Sequence, residues 1–562
     1  MKKQNFSISL SVVFAAAVSC VALPTKAAEL DWSDATAEKN HNTCVILATT
    51  DDAAAKMWRT RLNAAGVAVA RVKGKLTREK AGATGQRAVR VARAEANAGR
   101  HGLSSGAKIG VLGIGPGARL ALLMSLSSKT AFYEPKDATD QLPCKLDFAG
   151  VVSPCDCIAG GIGGVVVDEK GEPTVNGVYA DLASEFAFDA DTSPLVTLCA
   201  DAELADPKTT YWTASLVYRK LRAMTATLNN GFQKHKLAEA HFYGAKELDG
   251  RRVDRFLEFL KSADALGAQG SKKSIGGRYP KPRKDRKERP AHDESKYLKE
   301  PLWPNDVYPS TPEYTADKNK DPYIEWYVPT NLTTRAIQVI YSGGSYSSSK
   351  PDSDEVAPAR RFLNQKGMTV VTLHYRATGS NEKGFVRAWQ DLQRAIRMIR
   401  VRAKSLGLDP DRIGIMGSSA GGHMTIYHAT KSLENAYEPI DEIDKLPATV
   451  KWAIPIYPAY IVAGGCWGGE KKKGIDPIQP RHRLTFDAAT PAFLLLHGDE
   501  DLWTAGNSIK MWETLHRLGF EAELHTFANK SHCFQNEIFP GTGAWNYLDI
   551  IWEFLTAHGF NR

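Results

Sequence analysis

The segment Arg412-Ile-Gly-Ile-Met-Gly-Ser-Ser-Ala-Gly-Gly-His423 decides how this chain folds, because it predicts a strand, a tight turn centred on Ser419, and then a helix. Gly417 and Gly421 stand two positions either side of that serine. A strand and a helix can pass so closely only where the flanking residues are small, and such a turn presents the serine hydroxyl at the edge of the sheet. The spacing therefore predicts a nucleophilic serine on a strained strand-to-helix turn.

The sequence before this turn supplies the rest of a strand-helix-strand unit. Residues 368–375 are rich in β-branched side chains, which favours a strand, and residues 388–406 place apolar side chains at helical spacing. We expect Asp409-Pro410 to end that helix. The predicted fold class is therefore α/β, with a mostly parallel sheet and helices on both faces.

Two later segments supply an acid and a histidine in the order that such a serine turn requires. One apolar strand ends in the acidic turn Gly498-Asp-Glu-Asp501, and a second strand, residues 522–527, is followed by His532. We predict that Asp501 is the catalytic acid and His532 the base, with Asp499 as the alternative acid. A carboxylate, an imidazole and a hydroxyl arranged in this way can take the proton from the serine.

A glycine-rich turn, Ser342-Gly-Gly-Ser-Tyr346, follows the predicted strand at residues 336–341. Glycines in such a turn allow backbone amides to face inwards without obstruction by side chains. We predict that the amide of Gly343 or Gly344, together with that of Ala420, forms an oxyanion hole. Each such donor lowers the barrier of acyl transfer by about 3 kcal/mol.

Together these motifs are similar to those of a known family. Residues from about 301 to the C-terminus resemble the α/β-hydrolase fold, and specifically the secreted carbohydrate acetyl esterases grouped with acetylxylan and feruloyl esterases. The matching segments are Pro301-Leu-Trp-Pro304, Ser342-Gly-Gly-Ser-Tyr346, Tyr375-Arg376, Gly417-Ser-Ser-Ala-Gly-Gly-His423, His497-Gly-Asp-Glu-Asp501 and His532. Ser342 and Ser345 depart from the usual proline and third glycine, and Cys533 stands where glycine is more usual.

The resemblance implies a serine esterase that hydrolyses carboxylic esters, O-acetyl groups on plant-type or marine polysaccharide above all. It implies no cofactor and no metal ion. Two other functions stay open: a prolyl-oligopeptidase-like serine peptidase, which shares the fold and the order of catalytic residues, and a non-catalytic binding scaffold. Such peptidases usually carry a β-propeller, whose repeated blade pattern is not found in this sequence, and an intact serine, acid and histidine argue against a scaffold.

Three aromatic residues near the predicted site are candidates for contact with a sugar ring. Tyr346 ends the glycine-rich turn, Trp467 lies among glycines, and Trp503 follows the acid. Aromatic rings offer large, flat apolar faces to a ligand. Anchoring of loops explains the two tryptophans equally well, because tryptophan is often half-buried for packing alone.

The first half of the chain repeats the predicted elements of the second half in the same order. The paired segments are 44–48 with the strand around Val339, 62–69 with 363–370, 108–113 with 412–417, 193–198 with 490–495, and 238–243 with 522–527. We infer an internal duplication, so that the predicted fold consists of two α/β-hydrolase-type modules.

In the first copy, the positions that would carry the chemistry hold the wrong residue types. Gly115 stands at the nucleophile position, Glu203 at the acid position, and Leu248 at or near the histidine position. Glycine supplies no nucleophile and leucine no base. We therefore predict that the first module is degenerate and non-catalytic.

The segment Gly113-Ile-Gly-Pro-Gly-Ala118 also fits the dinucleotide-binding fingerprint, with Glu134 where a ribose-binding acid is expected. That fingerprint normally follows the first strand of its unit, whereas at least two predicted strands precede it here. Residues 130–134 also make a poor second strand. We therefore predict no nucleotide cofactor.

Length and composition fit two large globular modules. The chain has 562 residues, of which 43% are hydrophobic and 24% charged, as in ordinary folded proteins. Residues 278–289 hold seven basic and two acidic side chains, a net +5 of the chain's +9. A solvated linker explains this run better than a nucleic-acid-binding surface does, so we predict no nucleic-acid partner.

The predicted organisation has four parts. Residues 1–28 form an export signal, 29–262 the degenerate hydrolase-like domain, 263–300 a basic linker, and 301–562 the catalytic domain. The signal has a charged start, an apolar stretch and a small-residue cleavage region. We predict a secreted or periplasmic protein without stable membrane insertion after cleavage; a retained anchor is the alternative, and the oligomeric state stays open.

Overall fold

The computed structural model describes residues 29–562 except for 37–39, 128, 155–156, 158–164, 168–172, 176–177, 180–184, 187–192, 201–216, 218–237, 244–249, 267–295, 305–307, 310–320, 380–381, 462–483, 500, 502–504, 528–529 and 538–546. The predicted export signal lies outside the described residues, as does most of the predicted linker. Among the described helices, none is long and apolar enough to cross a membrane.

Strands and helices alternate along most of the described chain. The strands are β1 (Leu30–Ser33), β2 (Thr43–Ala48), β3 (Ala68–Val72), β4 (Lys108–Ile114), β5 (Phe148–Val152), β6 (Val165–Val167), β7 (Pro173–Val175), β8 (Val178–Tyr179), β9 (Leu195–Ala200), β10 (Ala238–Tyr243), β11 (Lys296–Pro301), β12 (Tyr323–Val328), β13 (Ile337–Tyr341), β14 (Thr369–His374), β15 (Ile413–Ser418), β16 (Trp452–Ile456), β17 (Ala492–Gly498) and β18 (Ala522–Phe527). The helices are α1 (Asp52–Ala64), α2 (Ala81–Asn97), α3 (Ala118–Leu126), α4 (Arg251–Ser262), α5 (Ala357–Gln365), α6 (Glu382–Ala403), α7 (Ala420–Thr430), α8 (Gly506–Arg517) and α9 (Tyr547–Ala557).

Fifteen of these strands form one continuous sheet in the order β1-β3-β2-β4-β5-β9-β10-β18-β17-β16-β15-β13-β14-β12-β11. Most neighbours in it are parallel, and the antiparallel pairs are β1–β3, β10–β18, β12–β14 and β11–β12. Strands β6, β7 and β8 form a small separate sheet. Parallel strands joined by helices are covered on both faces, which explains why every residue of β2 and of β15 is buried.

The strand order is the same on the two sides of the β10–β18 pair. Outwards from this pair, β10-β9-β5-β4-β2-β3-β1 on one side corresponds to β18-β17-β16-β15-β13-β14-β12 on the other. The two central strands pair antiparallel, with His241 opposite His525. The segments that the sequence matches between the two halves therefore occupy matching places in the sheet.

Apolar side chains fill the space between the sheet and its helices on both faces. Because side chains alternate along a strand, Cys44 and Ile46 join one apolar cluster while Val45 and Leu47 join another on the opposite face. The first of these clusters contains residues of both halves, and the rings of Phe242 and Trp512 within it lie 4.3 Å apart. The two halves thus share a core on one face.

A buried group of charged side chains also joins the two halves. Arg251, in the first turn of α4, forms ion pairs with Glu523 at 2.9 Å and with Glu553 at 3.1 Å. Across the β10–β18 pair, Nδ1 of His241 lies 3.0 Å from Nδ1 of His525. Burial lowers the pKa of both histidines.

Folded structure extends into both ends of the predicted linker, residues 263–300. Ala265 and Leu266 are buried against the core of the first half. At the other end, β11 begins at Lys296 and pairs along its whole length with β12. The folded second half therefore begins at least five residues before the predicted boundary at 301.

Candidate active site

Ser419 lies on the turn between β15 and α7, in a backbone conformation that residues other than glycine rarely adopt. Its φ is 56° and its ψ is −118°, and such strain persists only where the surroundings fix the chain. A Cβ on Gly417 would lie 2.5 Å from the carbonyl oxygen of Gly421, and one on Gly421 would lie 2.7 Å from that of Ser342. The glycines are therefore needed because three backbone segments meet at this point.

The structure brings the three predicted catalytic side chains together. Nε2 of His532 lies 2.8 Å from Oγ of Ser419, and its Nδ1 lies 2.8 Å from Oδ2 of Asp501. Ser419 is 7% exposed, His532 9% and Asp501 6%. The line from carboxylate to hydroxyl is thus continuous and almost entirely shielded from solvent, which strengthens each of its hydrogen bonds.

Of the two candidate acids, only Asp501 faces the histidine in the described geometry. Oδ1 of Asp499 accepts a long hydrogen bond of 3.4 Å from the amide of Lys530. Asp501 contacts Nδ1 of His532 with both carboxylate oxygens, at 2.8 and 3.0 Å. The geometry therefore favours Asp501 as the partner of His532.

A second histidine, for which the sequence pattern predicts no role, lies on the other side of this acid. Nε2 of His497 is 3.0 Å from Oδ2 of Asp501, and Nδ1 of His497 lies 2.8 Å from Oγ of Ser508. Burial opposes ionisation of Asp501, but the hydrogen bonds from His497 and His532 outweigh it and hold the pKa of Asp501 below its usual range. The acid is therefore ionised at neutral pH.

The predicted oxyanion donors lie beside the serine, but one of them is already engaged. A Cβ on Gly343 would meet Cβ of Ser419 at 2.7 Å, so the turn contacts the nucleophile directly. The amide of Gly343, however, donates to Oε2 of Glu355 at 2.7 Å. Among the described residues, the amides of Gly344 and Ala420 have no acceptor, and Ala420 is the first residue of α7, where amides lack partners within the helix. Of the two predicted glycines, Gly344 is therefore the stronger candidate donor, since no described acceptor engages its amide.

Tyr346 has a different place from the one expected. It is only 3% exposed, and its hydroxyl lies 2.7 Å from both the carbonyl oxygen of Ala420 and Nδ1 of His423. The side chain packs beneath the helix that follows Ser419, so we revise its role from sugar contact to support of that helix. Trp467 and Trp503 lie outside the described residues, and their contact with substrate stays a prediction.

At the matching position in the first half, a glycine shares one backbone angle with Ser419. Gly115 has a φ of 54°, close to that of Ser419, and a Cβ there would meet nothing within 4 Å. A Cβ on Gly117 would lie 1.9 Å from the carbonyl oxygen of Ala48, so this glycine serves close packing of the turn against β2. Glu203 and Leu248 lie outside the described residues. Within the described part of the chain, no group of three or more His, Cys, Asp or Glu side chains could hold a metal ion.

Known proteins resemble this chain in sequence and in fold. The BD-FAE family matches residues 324–459. An acetylxylan esterase of Xylanibacter ruminicola is 26% identical over 238 residues, which are 41% of this chain and 46% of that protein. A probable carboxylic ester hydrolase, LipM, of Mycobacterium tuberculosis is 27% identical over 142 residues, or 24% of this chain and 31% of that protein.

This chain resembles the acetyl esterases of the α/β-hydrolase fold. Among solved structures, an acetyl ester-xyloside bifunctional hydrolase of Caldicellulosiruptor lactoaceticus aligns with 47% of this chain and 97% of its own, at 23% identity and a TM-score of 0.40. The BD-FAE match and the acetylxylan esterase confirm the predicted family resemblance. The mostly parallel sheet with its helices confirms the α/β fold class. The chain spans about half the length of the acetylxylan esterase and about a third of LipM.

Proposed function

We propose that this protein is a serine esterase, with Ser419 as nucleophile, His532 as base and Asp501 as the acid that orients the base. The observation that supports this most directly is the buried line of hydrogen bonds from Asp501 through His532 to Ser419, at 2.8 Å for each step. It ends on a serine held in a strained turn, which is the arrangement that nucleophilic acyl transfer requires.

In the proposed first step, Oγ of Ser419 attacks the ester carbonyl while its proton moves to Nε2 of His532. Asp501 accepts the hydrogen bond from Nδ1 of the ring, which fixes the tautomer and stabilises the imidazolium. The negative charge that develops on the carbonyl oxygen is stabilised by the amides of Ala420 and Gly344. Donors that the fold has already oriented need little reorganisation as the charge forms.

In the second step, the imidazolium gives its proton to the leaving alcohol, and the acyl group remains on Ser419. Water then attacks the acyl-enzyme with His532 again acting as base, which restores the free serine. Every proton in this cycle moves between Ser419, His532, the substrate and water. Asp501 keeps its charge throughout, as its low pKa requires.

For the substrate, we propose O-acetyl groups on a polysaccharide. The acetylxylan esterase of Xylanibacter ruminicola supports this choice, at 26% identity over 41% of the chain. We also propose that residues 1–28 direct export, which would place the enzyme where polysaccharide is found. Sequencing the N-terminus of protein purified from outside the cytoplasm tests the export: a mature chain that still begins at Met1 would contradict it.

The experiment that tests the function compares acetate release from acetylated xylan oligosaccharides by the wild type and by Ser419→Ala. We expect release by the wild type and none above background by the variant. An aryl acetate assayed in parallel separates mechanism from substrate. Serine-dependent cleavage of the aryl ester alone would retain the esterase and reject the polysaccharide, whereas no cleavage of either would reject the esterase.

A further inference from the structure

Two side chains other than those of Ser419, His532 and Asp501 form hydrogen bonds with the backbone of the glycine turn, residues 342–346. The amide of Gly343 donates to Oε2 of Glu355 at 2.7 Å, and the hydroxyl of Tyr375 donates to the carbonyl oxygen of Gly343 at 2.7 Å. These two bonds fix two successive peptide groups. The second of these groups contains the carbonyl of Gly343 and the amide of Gly344, the stronger candidate for an oxyanion donor.

The bond from Tyr375 sets the direction of the Gly344 amide. The described peptide bonds are all trans, and in a planar trans peptide the C=O and N–H vectors point in opposite directions. With its carbonyl oxygen held by Tyr375, the shared peptide group turns the N–H of Gly344 away from that hydroxyl. Burial raises the pKa of Tyr375 above its usual range, so the hydroxyl keeps the proton that it donates.

Adjacent parallel strands bring Tyr375 to this turn. Strands β13 and β14 pair in parallel, so their carboxyl ends lie side by side. The glycine turn follows β13, and Tyr375 is the first residue after β14, where it is fully buried. Its hydroxyl also lies 3.3 Å from the carbonyl oxygen of Ser342 and 3.2 Å from that of Ser348. One hydroxyl group thus lies within hydrogen-bond distance of three carbonyl oxygens of one loop.

Glu355 ties the same turn to the histidine loop. Its Oε1 accepts from Sγ of Cys533 at 3.6 Å, and its backbone oxygen accepts from Nε2 of Gln535 at 3.2 Å. The side-chain oxygen of Gln535 in turn accepts from Oγ of Ser418 at 2.9 Å. One bridge therefore connects the turn, the loop that carries His532, and the residue before the nucleophile.

We propose that Tyr375 and Glu355 are positioning residues for ester hydrolysis, which hold the peptide group between Gly343 and Gly344 so that its amide faces the developing oxyanion. The proposal rests on the proposed esterase function of Ser419. It assigns neither residue any contact with the substrate. Both act through the backbone of the turn.

The first test is Tyr375→Phe, which removes one oxygen atom and leaves the ring in place. Removing an oxyanion donor lowers kcat by about 10²–10³-fold, so we expect misdirection of one donor to lower kcat roughly ten- to a hundredfold. Because the donor bonds to the oxyanion only in the transition state, KM on an aryl acetate should change by less than about threefold. A loss confined to KM would overturn the proposal.

The matched control is Tyr327→Phe. Tyr327 is 4% exposed and its hydroxyl donates to Glu325 at 3.1 Å on β12, so this variant also loses one buried hydroxyl. We expect a similar decrease in Tm for both variants and a decrease in kcat for Tyr375→Phe alone. If kcat decreases together with Tm to the same extent in both variants, Tyr375 contributes only to stability and the proposal fails.

Glu355 is tested by a pair of variants. Glu355→Gln keeps an oxygen that can accept from the Gly343 amide, whereas Glu355→Ala removes it. We expect Glu355→Gln to retain kcat within about threefold. We expect Glu355→Ala to lower kcat by roughly tenfold or more, but by less than the roughly 10²–10³-fold loss that removal of a donor causes. The inhibition constant of a trifluoromethyl ketone, which forms a tetrahedral adduct on the serine, should rise with the fall in kcat/KM in Glu355→Ala and Tyr375→Phe. An unchanged inhibition constant in the slow variants would contradict a role in oxyanion binding.

Failure of the positioning role and failure of the esterase give different results. If the wild type neither turns over the aryl acetate nor labels at Ser419 with a fluorophosphonate, the esterase function is wrong and the positioning role falls with it. If the wild type is active and Tyr375→Phe and Glu355→Ala both retain its kcat, the esterase stands and only the positioning role is wrong.

Discussion

At the scale of the residue, Asp501 is a carboxylate held between two imidazoles, His497 on one side and His532 on the other. We expect Asp501→Asn to lower kcat by about 10⁴-fold, because the amide preserves the shape of the site but favours the wrong tautomer of the catalytic ring. Steady-state kinetics on an aryl acetate measure the loss.

Asp499→Asn is the matched control, since it makes the same chemical change two residues earlier. Its Oδ1 accepts from the amide of Lys530 in the described geometry, and asparagine retains an oxygen for that contact. We expect kcat within about twofold of wild type, against the 10⁴-fold loss expected for the catalytic acid. The reverse ranking of the two variants would make Asp499 the acid.

At the scale of the element, the positions within a serine-type turn differ in how much space surrounds them: the flanking glycines are crowded in both halves, and the central position is open in the first half. A Cβ on Gly421 would lie 2.7 Å from the backbone oxygen of Ser342, whereas one on Gly115 would meet nothing within 4 Å. We expect Gly421→Ala to lower the free energy of unfolding by about 1–3 kcal/mol through overpacking, and to displace the nucleophile. Chemical denaturation and esterase assays measure the two effects.

Gly115→Ser is the comparison for that variant within the same chain. It creates no clash, and its φ of 54° makes backbone strain of about 1–2 kcal/mol its main effect on stability. We expect activity to stay at the wild-type level, because the first half takes no part in the proposed chemistry. An activity loss here like that of Gly421→Ala would show that the first half contributes to the site.

At the scale of the whole molecule, a buried ion pair joins the halves through Arg251 and Glu523. Burial opposes ionisation of Glu523, but Arg251 and hydrogen bonds from His525 and His558 hold its pKa well below the usual range. Removing one partner of a buried pair costs about 3–5 kcal/mol, so we expect Glu523→Gln to lower the free energy of unfolding by that amount at pH 7.

The sign of the pH dependence follows from the lowered pKa of Glu523 in the folded protein. The stabilisation is fully present above the unfolded pKa of about 4.3, and it is lost as the pH falls towards the folded value. The difference in the free energy of unfolding between wild type and Glu523→Gln should therefore shrink below about pH 4.

The control is Glu258→Gln, which breaks the partly exposed ion pair with Lys261 on the same helix. It should change the free energy of unfolding by less than about 1 kcal/mol at any pH. A difference for Glu523→Gln that is independent of pH would contradict this account.

The sequence was sufficient for the parts of the site that depend on local pattern. Ser419 is identified by the glycines around it, and Asp501 and His532 by the apolar strands that precede them. Tyr375 belongs to a segment that matches the family and Glu355 does not, but local pattern assigns neither residue a role, because each reaches the glycine turn only through pairing of strands or packing of loops far apart in sequence. Their roles become visible only once distances are known.

The same contrast applies to the sheet. Five matched segments predicted part of the strand set of each half, whereas β1, β5, β12 and β16 lie outside them. Nothing in either half predicted that β10 and β18 would pair. Strand β11 was also missed, because its sequence, Lys296-Tyr-Leu-Lys-Glu-Pro301, continues the charged composition of the predicted linker. This segment forms a strand because it pairs with β12, and composition alone does not indicate that pairing.

The antiparallel pair at the centre of the sheet has a consequence for solubility. Alone, each half would end in a buried-type strand, Ala238–Tyr243 or Ala522–Phe527, with a free row of amides and carbonyls. Such edges recruit strands from other molecules and begin aggregation. Each half instead closes the other's vulnerable edge, which leaves β1 and β11 at the margins, and β11 carries Lys296, Lys299 and Glu300. The first half can thus keep the second half soluble without taking part in the chemistry proposed for it.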